Sequence, residues 1–231
     1  MYGYYGYDPY LILVIPAFLL SLYAQYKVRS TFNKYSRMPN MRGLTGADVS
    51  RRILDSNGLY DVAVKPVRGE LTDHYDPRTK VVRLSDPVYN STSVAALGVA
   101  AHETGHAIQH KVNYLPLVLR STLVPIANIG SSAGPYLAIL GLVLGWSGLV
   151  NIGIILFTAA VAFYIVTLPV EFNASRRAVA ILGETGILQG DELTSAKKVL
   201  RAAALTYVAS AAVAMANLLR LVLMTGRRRR D

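Results

Sequence analysis

Five residues near the middle of the chain, His102-Glu103-Thr104-Gly105-His106, have the types and spacing for metal chemistry. On an α-helix, residues four apart differ by about 40° around the axis and about 6 Å along it, so both imidazoles leave one face and can grip one ion. Glu103, next to the first imidazole, is within reach of a water held by that ion and can take its proton. A carboxylate suffices as the base, because zinc lowers the pKa of a bound water to about 7. H-E-x-x-H on a helix is therefore a zinc-hydrolase pattern once a further ligand completes it. The chain has no cysteine. That excludes disulfides, iron–sulfur clusters and thiol nucleophiles, and leaves His, Asp and Glu to hold the metal.

Several residues compete for the third ligand position. His110 continues the run at i+8, but it lies about 12 Å from His102 along a helix axis, while zinc–nitrogen bonds are about 2 Å. His74, in the turn-like segment LTDHYDP, is either an exposed histidine or a contributor to the site. Glu171 is the better candidate. It follows 50 residues, Ser121 to Val170, without a charge, and an ionisable residue at the mouth of a membrane span is a functional candidate by default. The alternative for Glu171 is a helix-capping role near a membrane surface. Asp73, Asp76 and Asp86 could ligate, or could orient an imidazole through its second nitrogen. Arg176 and Arg177 suit an oxyanion, or equally a snorkelling position beside a span end.

The elements that must carry these residues follow from composition. The 231 residues are 52% hydrophobic and only 16% charged, with a mean hydropathy of +0.33; soluble domains average about 25% charged. That points to a membrane protein with room for one modest soluble domain. Pro9 to Tyr26 is uncharged, long enough to span, and begins without the basic residues of a secretory signal, so it reads as an uncleaved anchor with interfacial tyrosines. Lys27, Arg29, Lys34, Arg37 and Arg42 follow with no acid among them, which assigns that side to the cytoplasm. The 50 uncharged residues are roughly 75 Å of helix, enough for two crossings of a core of about 30 Å. Spans near 122–145 and 149–168, joined at Gly145-Trp146-Ser147-Gly148, return the chain to the side it left and bring Glu171 to the face of the histidines. Ala202 to Leu219 is also uncharged, but a fourth span would carry Arg227–Arg230 across, against the positive-inside rule; a helix packed on the domain or membrane surface is favoured. The net charge of +10 reads as this topology and as attraction to anionic lipid rather than to nucleic acid.

Between the first and second spans, Thr45 to Gly58 has the capping residues of a helix. DVAVKPV and TKVVRLS alternate like short strands, with turn chemistry at DPRT. Ser91 to His110 reads as one helix bearing the motif. The stretch Val81 to Leu84 could take a substrate as an added β-strand. The expected fold is thus a mainly α membrane protein, with transmembrane helices and a small α+β domain around the H-E-x-x-H helix. Residues 1–26 are the anchor, 27–114 the cytosolic domain, 115–169 two spans, and 170–231 the third-ligand helix, a further helical segment and a basic tail.

LYAQYKVRSTFNKYS, LTDHYDP, AAHETGHAIQH and LPVEFNASRRA, in this order, resemble the neutral zinc metallopeptidase family of bacterial membrane proteins, the YugP-like proteins. That family is distantly similar to the membrane-bound heat-shock and CAAX-processing zinc proteases, which pair H-E-x-x-H with a later E-F-x-A-D. The resemblance implies a zincin-like domain of the gluzincin type in the bacterial plasma membrane. It implies Zn2+ on His102, His106 and Glu171, Glu103 as the base, and a peptide or protein substrate, membrane proteins included. Where the relatives carry Asp, this chain has Ser175, a weaker partner for an imidazole, so Asp73 or Asp76 could take that role. Two rival classes are an intramembrane site-2-type metalloprotease and a non-catalytic zinc-stabilised scaffold. The first wants its motif inside a span, but Arg83, Asp86, His110 and Lys111 lie too close; the second needs no Glu103.

Overall fold

The computed structural model describes residues 9–228, with side chains up to residue 226. Tyr2, Tyr4, Tyr5 and Tyr7 of the proposed interfacial belt, and Arg229 and Arg230 of the basic tail, lie outside the described residues. A short 3-10 turn, Pro9–Leu13, leads into α1 (Ile15–Tyr35) and α2 (Gly46–Ser56). Three strands follow, β1 (Ala63–Val67), β2 (His74–Asp76) and β3 (Val81–Ser85). Then come α3 (Asp86–Tyr89), α4 (Val94–Lys111), α5 (Leu115–Leu144), α6 (Ser147–Glu184) and α7 (Gly190–Arg228). The architecture is mostly helical with one small sheet, as the composition predicts.

Among the described residues, four stretches are long and apolar enough to cross a membrane: Pro9–Tyr35, Leu115–Leu144, Ser147–Glu184 and Gly190–Gly226. The fourth contains the run at 202–219 where a surface helix is expected, and its length and composition would equally let it cross. No Pro interrupts α7 and its run is alanine-rich, so one helix extends from the polar start at Gly190 through the apolar segment. Pro169 likewise does not break α6, which runs unbroken from the apolar segment through Glu171.

The chain divides into two compact units. The first comprises the described residues up to Tyr23, with Leu119–Thr167 and Tyr207 onward; the second comprises Ala24–Val118 and Leu168–Thr206. In the second unit, Ile53, Leu54, Val82, Leu84, Leu97, Leu182 and Leu188 form a buried apolar core. α2 enters it through a capping box. Thr45 accepts from the Asp48 N–H, and the Asp48 carboxylate accepts from the Thr45 N–H, which satisfies two donors that a helix start leaves free.

The sheet order is β1-β3-β2, with β1 parallel and β2 antiparallel to β3. This overturns the expectation that Val81 to Leu84 offers an edge for an added strand: both edges of β3 are already paired. Its burial explains the placement, since Val81, Val82 and Leu84 are all buried and a near-continuous apolar run suits a strand covered on both faces. Asp76 shapes the turn into β3 by accepting from the Arg78 N–H, Thr79 Oγ1 and Arg83. Those bonds hold its carboxyl below the usual range.

In the first unit, α5 and α6 meet at glycines. A Cβ on Gly130 would fall 2.0 Å from the Leu156 carbonyl oxygen, and one on Gly153 2.4 Å from the Ala138 nitrogen. The backbones approach too closely for any other residue, as is usual where helices pack without a hydrophobic drive between them. Ile129, Val143, Ile152 and Ile155 are exposed, an apolar surface of the kind a bilayer covers.

Candidate metal centre

α4 sets the two histidines. Ser93 caps its start by accepting from the Ala96 N–H, and no Pro follows before Lys111, so His102 and His106 stand one turn apart. Their rings pack edge to face with centroids 4.8 Å apart. Glu171 arrives from α6 and is 2% exposed. Its Oε2 lies 3.2 Å from His102 Nε2 and 3.6 Å from His106 Nε2. Among the described residues, these three form the one group of His and acidic side chains able to share an ion, with ligand atoms all within 4.8 Å of one another.

Gly105 makes this meeting possible. A Cβ there would sit 3.0 Å from the Ala174 carbonyl oxygen, so the motif's own glycine lets α6 come down onto α4. Thr104, on another side of the helix, donates to the Ala100 carbonyl at 2.7 Å and lies 3.3 Å from Ser50 of α2.

The second nitrogen of each imidazole is also engaged. His102 Nδ1 lies 3.1 Å from Ser175 Oγ. His106 Nδ1 lies 2.9 Å from Gln109 Oε1. Nδ1–H donated outward leaves Nε2 bare and aimed at Glu171, the state a metal requires. Two imidazole nitrogens and a carboxylate oxygen, with the carboxylate removed from water, make a donor set that fits zinc. They also demand a cation, because a buried carboxylate facing two imidazoles is costly without one. In the metal-free chain a proton plays that part. Burial opposes charge on His106, but hydrogen bonding to Glu171, the charges of Glu103 and Glu171, and the Gln109 oxygen outweigh it and raise its basicity. Glu103 is 9% exposed and makes no hydrogen bond among the described residues, which leaves its carboxylate available beside the group.

The other candidates lie elsewhere or have other partners. His74 is exposed on β2, with Nδ1 2.8 Å from the Thr72 carbonyl, and is not part of the group. Asp73 accepts from the backbone N–H and hydroxyl of Ser85, and burial pushes its carboxyl up. Asp76 is taken by its turn, and Asp86 accepts from the Gly69 N–H. The acids expected to replace the missing Asp are thus held in the sheet region, and Ser175 itself contacts His102. His110 pairs with Tyr75. Arg176 is exposed, whereas Arg177 donates to Asn173. Gln109 was not among the sequence candidates. Its signal was available: three residues past His106, it shares that histidine's helix face.

A family model described as "Putative neutral zinc metallopeptidase" matches residues 10–226. The protein named "Putative membrane protease YugP" of Bacillus subtilis (strain 168) is 53% identical over 215 residues, covering 93% of this chain and 96% of that relative. No solved structure matches the chain. The match spans every element that builds the cluster on α4 and α6, and the chain belongs to the neutral zinc metallopeptidase family.

Proposed function

We propose that the protein is a membrane-anchored zinc endopeptidase of the gluzincin type. Its zincin-like domain faces the cytoplasm of a bacterial cell, and it cleaves peptide bonds in proteins, membrane proteins included. One observation carries the reading: His102, His106 and Glu171 converge on a single point, near enough to Glu103 for its charge to act on His106. His102 and His106 would hold the metal through Nε2 and Glu171 through Oε2. Bound there, zinc supplies a Lewis acid that polarises a carbonyl and makes water nucleophilic at neutral pH.

The chain's own groups do the rest. Glu103 accepts the proton of the attacking water, and the same oxygen returns it to the leaving amide nitrogen as the C–N bond breaks. Ser175 and Gln109 keep the imidazoles turned to the metal. The basic run from Lys27 to Arg42 supports a cytoplasmic domain. The motif helix is packed in the core of the second unit and is not one of the four apolar stretches, which favours this reading over an intramembrane protease.

The test is metal content and casein hydrolysis by the detergent-purified protein. About one zinc per chain is expected, lost in His102→Ala and Glu171→Ala. Glu103→Gln should keep the zinc while hydrolysis falls about 10²- to 10⁴-fold. Full hydrolysis in Glu103→Gln would remove the base from the mechanism. A wild-type protein that holds zinc and hydrolyses nothing would favour the scaffold.

A further inference from the structure

We propose that Gln109 is a positioning residue, which fixes His106 in the one tautomer able to bind a metal through Nε2. The proposal rests on the zinc reading above and adds a residue to it. Gln109 is fully buried, both donors of its amide are used and its oxygen has a partner. Nε2 donates to the Val170 carbonyl at 2.8 Å and to Asn173 Oδ1 at 3.0 Å, and Oε1 faces His106 Nδ1 at 2.9 Å. Asn173 Oδ1 also accepts from Arg177 Nε at 2.8 Å.

The proton order along this chain has only one solution. A guanidinium donates and never accepts, so Asn173 must turn its oxygen to Arg177. A backbone carbonyl accepts and never donates, so Gln109 must turn its NH2 to Val170. Both constraints place the Gln109 oxygen against His106, and an oxygen there requires a proton on Nδ1. Nε2 is then the nitrogen left facing Glu171, free to take a metal or, in the metal-free chain, a proton. A carboxylate in this position would also accept from Nδ1, but it would repel the Val170 carbonyl; a neutral amide satisfies both. The bonds also tie His106's helix to the segment that carries Glu171, at Val170 before it and Asn173 after it. One side chain therefore sets both the tautomer of one ligand and its distance from another.

The test is the zinc dissociation constant, measured by chelator competition on detergent-purified protein, beside the Tm of the metal-free form. Gln109→Met keeps the length and apolar bulk but removes every hydrogen bond. It should raise the zinc Kd about 10- to 100-fold. Asn173→Asp keeps the acceptor that orders the amide and should stay near the wild-type Kd. Asn173→Leu removes that acceptor and should weaken zinc in the direction of Gln109→Met. A lowered metal-free Tm in Gln109→Met with an unchanged zinc Kd would assign the residue to helix packing alone and overturn the proposal. If Gln109→Met does not fold, a wild-type Kd in Gln109→Leu, which also lacks the oxygen facing His106 Nδ1, overturns it instead. A wild-type protein that takes up no zinc is a different result, because it removes the metal site itself and the positioning role with it.

Discussion

The two units differ in what their closest contacts are made of. The second interlocks large side chains, such as Ile53, Leu54, Leu97 and Leu182, around a buried core. The first has a smaller buried cluster around Phe157, Val161 and Leu221, brings backbones together where side chains are missing, at Gly130 and Gly153, and leaves Ile129, Ile152 and Ile155 outside. The difference follows from solvent. In water, burying apolar surface stabilises the fold by about 25 cal/mol per Å², so bulk is useful inside. In lipid that drive vanishes, and close approach with its many dispersion contacts takes over. The core of the second unit should be most sensitive to a smaller side chain, and the glycine contacts of the first to a larger one.

The largest effect is expected in the second unit. Ile53→Ala removes a side chain that is 1% exposed, and the cavity should cost about 2–5 kcal/mol, read as a lower midpoint in chemical unfolding. A cost near zero would mean that the core is not the side-chain jigsaw described. Next comes Gly130→Leu in the first unit, where even a Cβ meets the Leu156 carbonyl. Overpacking there should cost about 1–3 kcal/mol or more, seen as a lower Tm in detergent. If Gly130→Leu were tolerated, α5 and α6 would not pack through this contact. The smallest effect sharpens the contrast by repeating the first truncation. Ile155→Ala, at a position 68% exposed, should change stability by no more than about 0.5 kcal/mol. A loss comparable to that of Ile53→Ala would place an unseen partner against that face.

What the sequence made legible was local. The capping box of α2, the extent of α4 and the facing of His102 and His106 depend on residues within one or two turns, and they could be read directly. Glu171 could be read for a different reason: after 50 uncharged residues a single carboxylate stands out. The placement of β3 between β1 and β2 was missed because it depends on pairing across 18 residues, as Ala63 with Val81, and the period of a strand does not reveal its neighbours. β2 itself was read as a turn, since three residues give no period. Whether the apolar part of α7 crosses a membrane is not legible from pattern alone, because its length allows a span while charge balance opposes one. Gln109 was passed over for His110, one residue on. A histidine announces itself by its ligand chemistry, and an amide that only turns a ligand has no such chemistry of its own.

Written as a pattern, H-E-x-x-H has two wild cards. In this chain neither is free. The first is Thr104, wholly buried and hydrogen-bonded within α4 close to Ser50; the second is Gly105, where a Cβ would press on the Ala174 carbonyl of α6 at 3.0 Å. The pattern therefore carries less information than the molecule uses. A search by letters alone would accept a chain with valine in the second wild card, and that chain would keep its base and both histidines while holding the third ligand at arm's length. Reading such motifs as five specified positions, each with a named neighbour, separates chains that spell a metal site from chains that can build one.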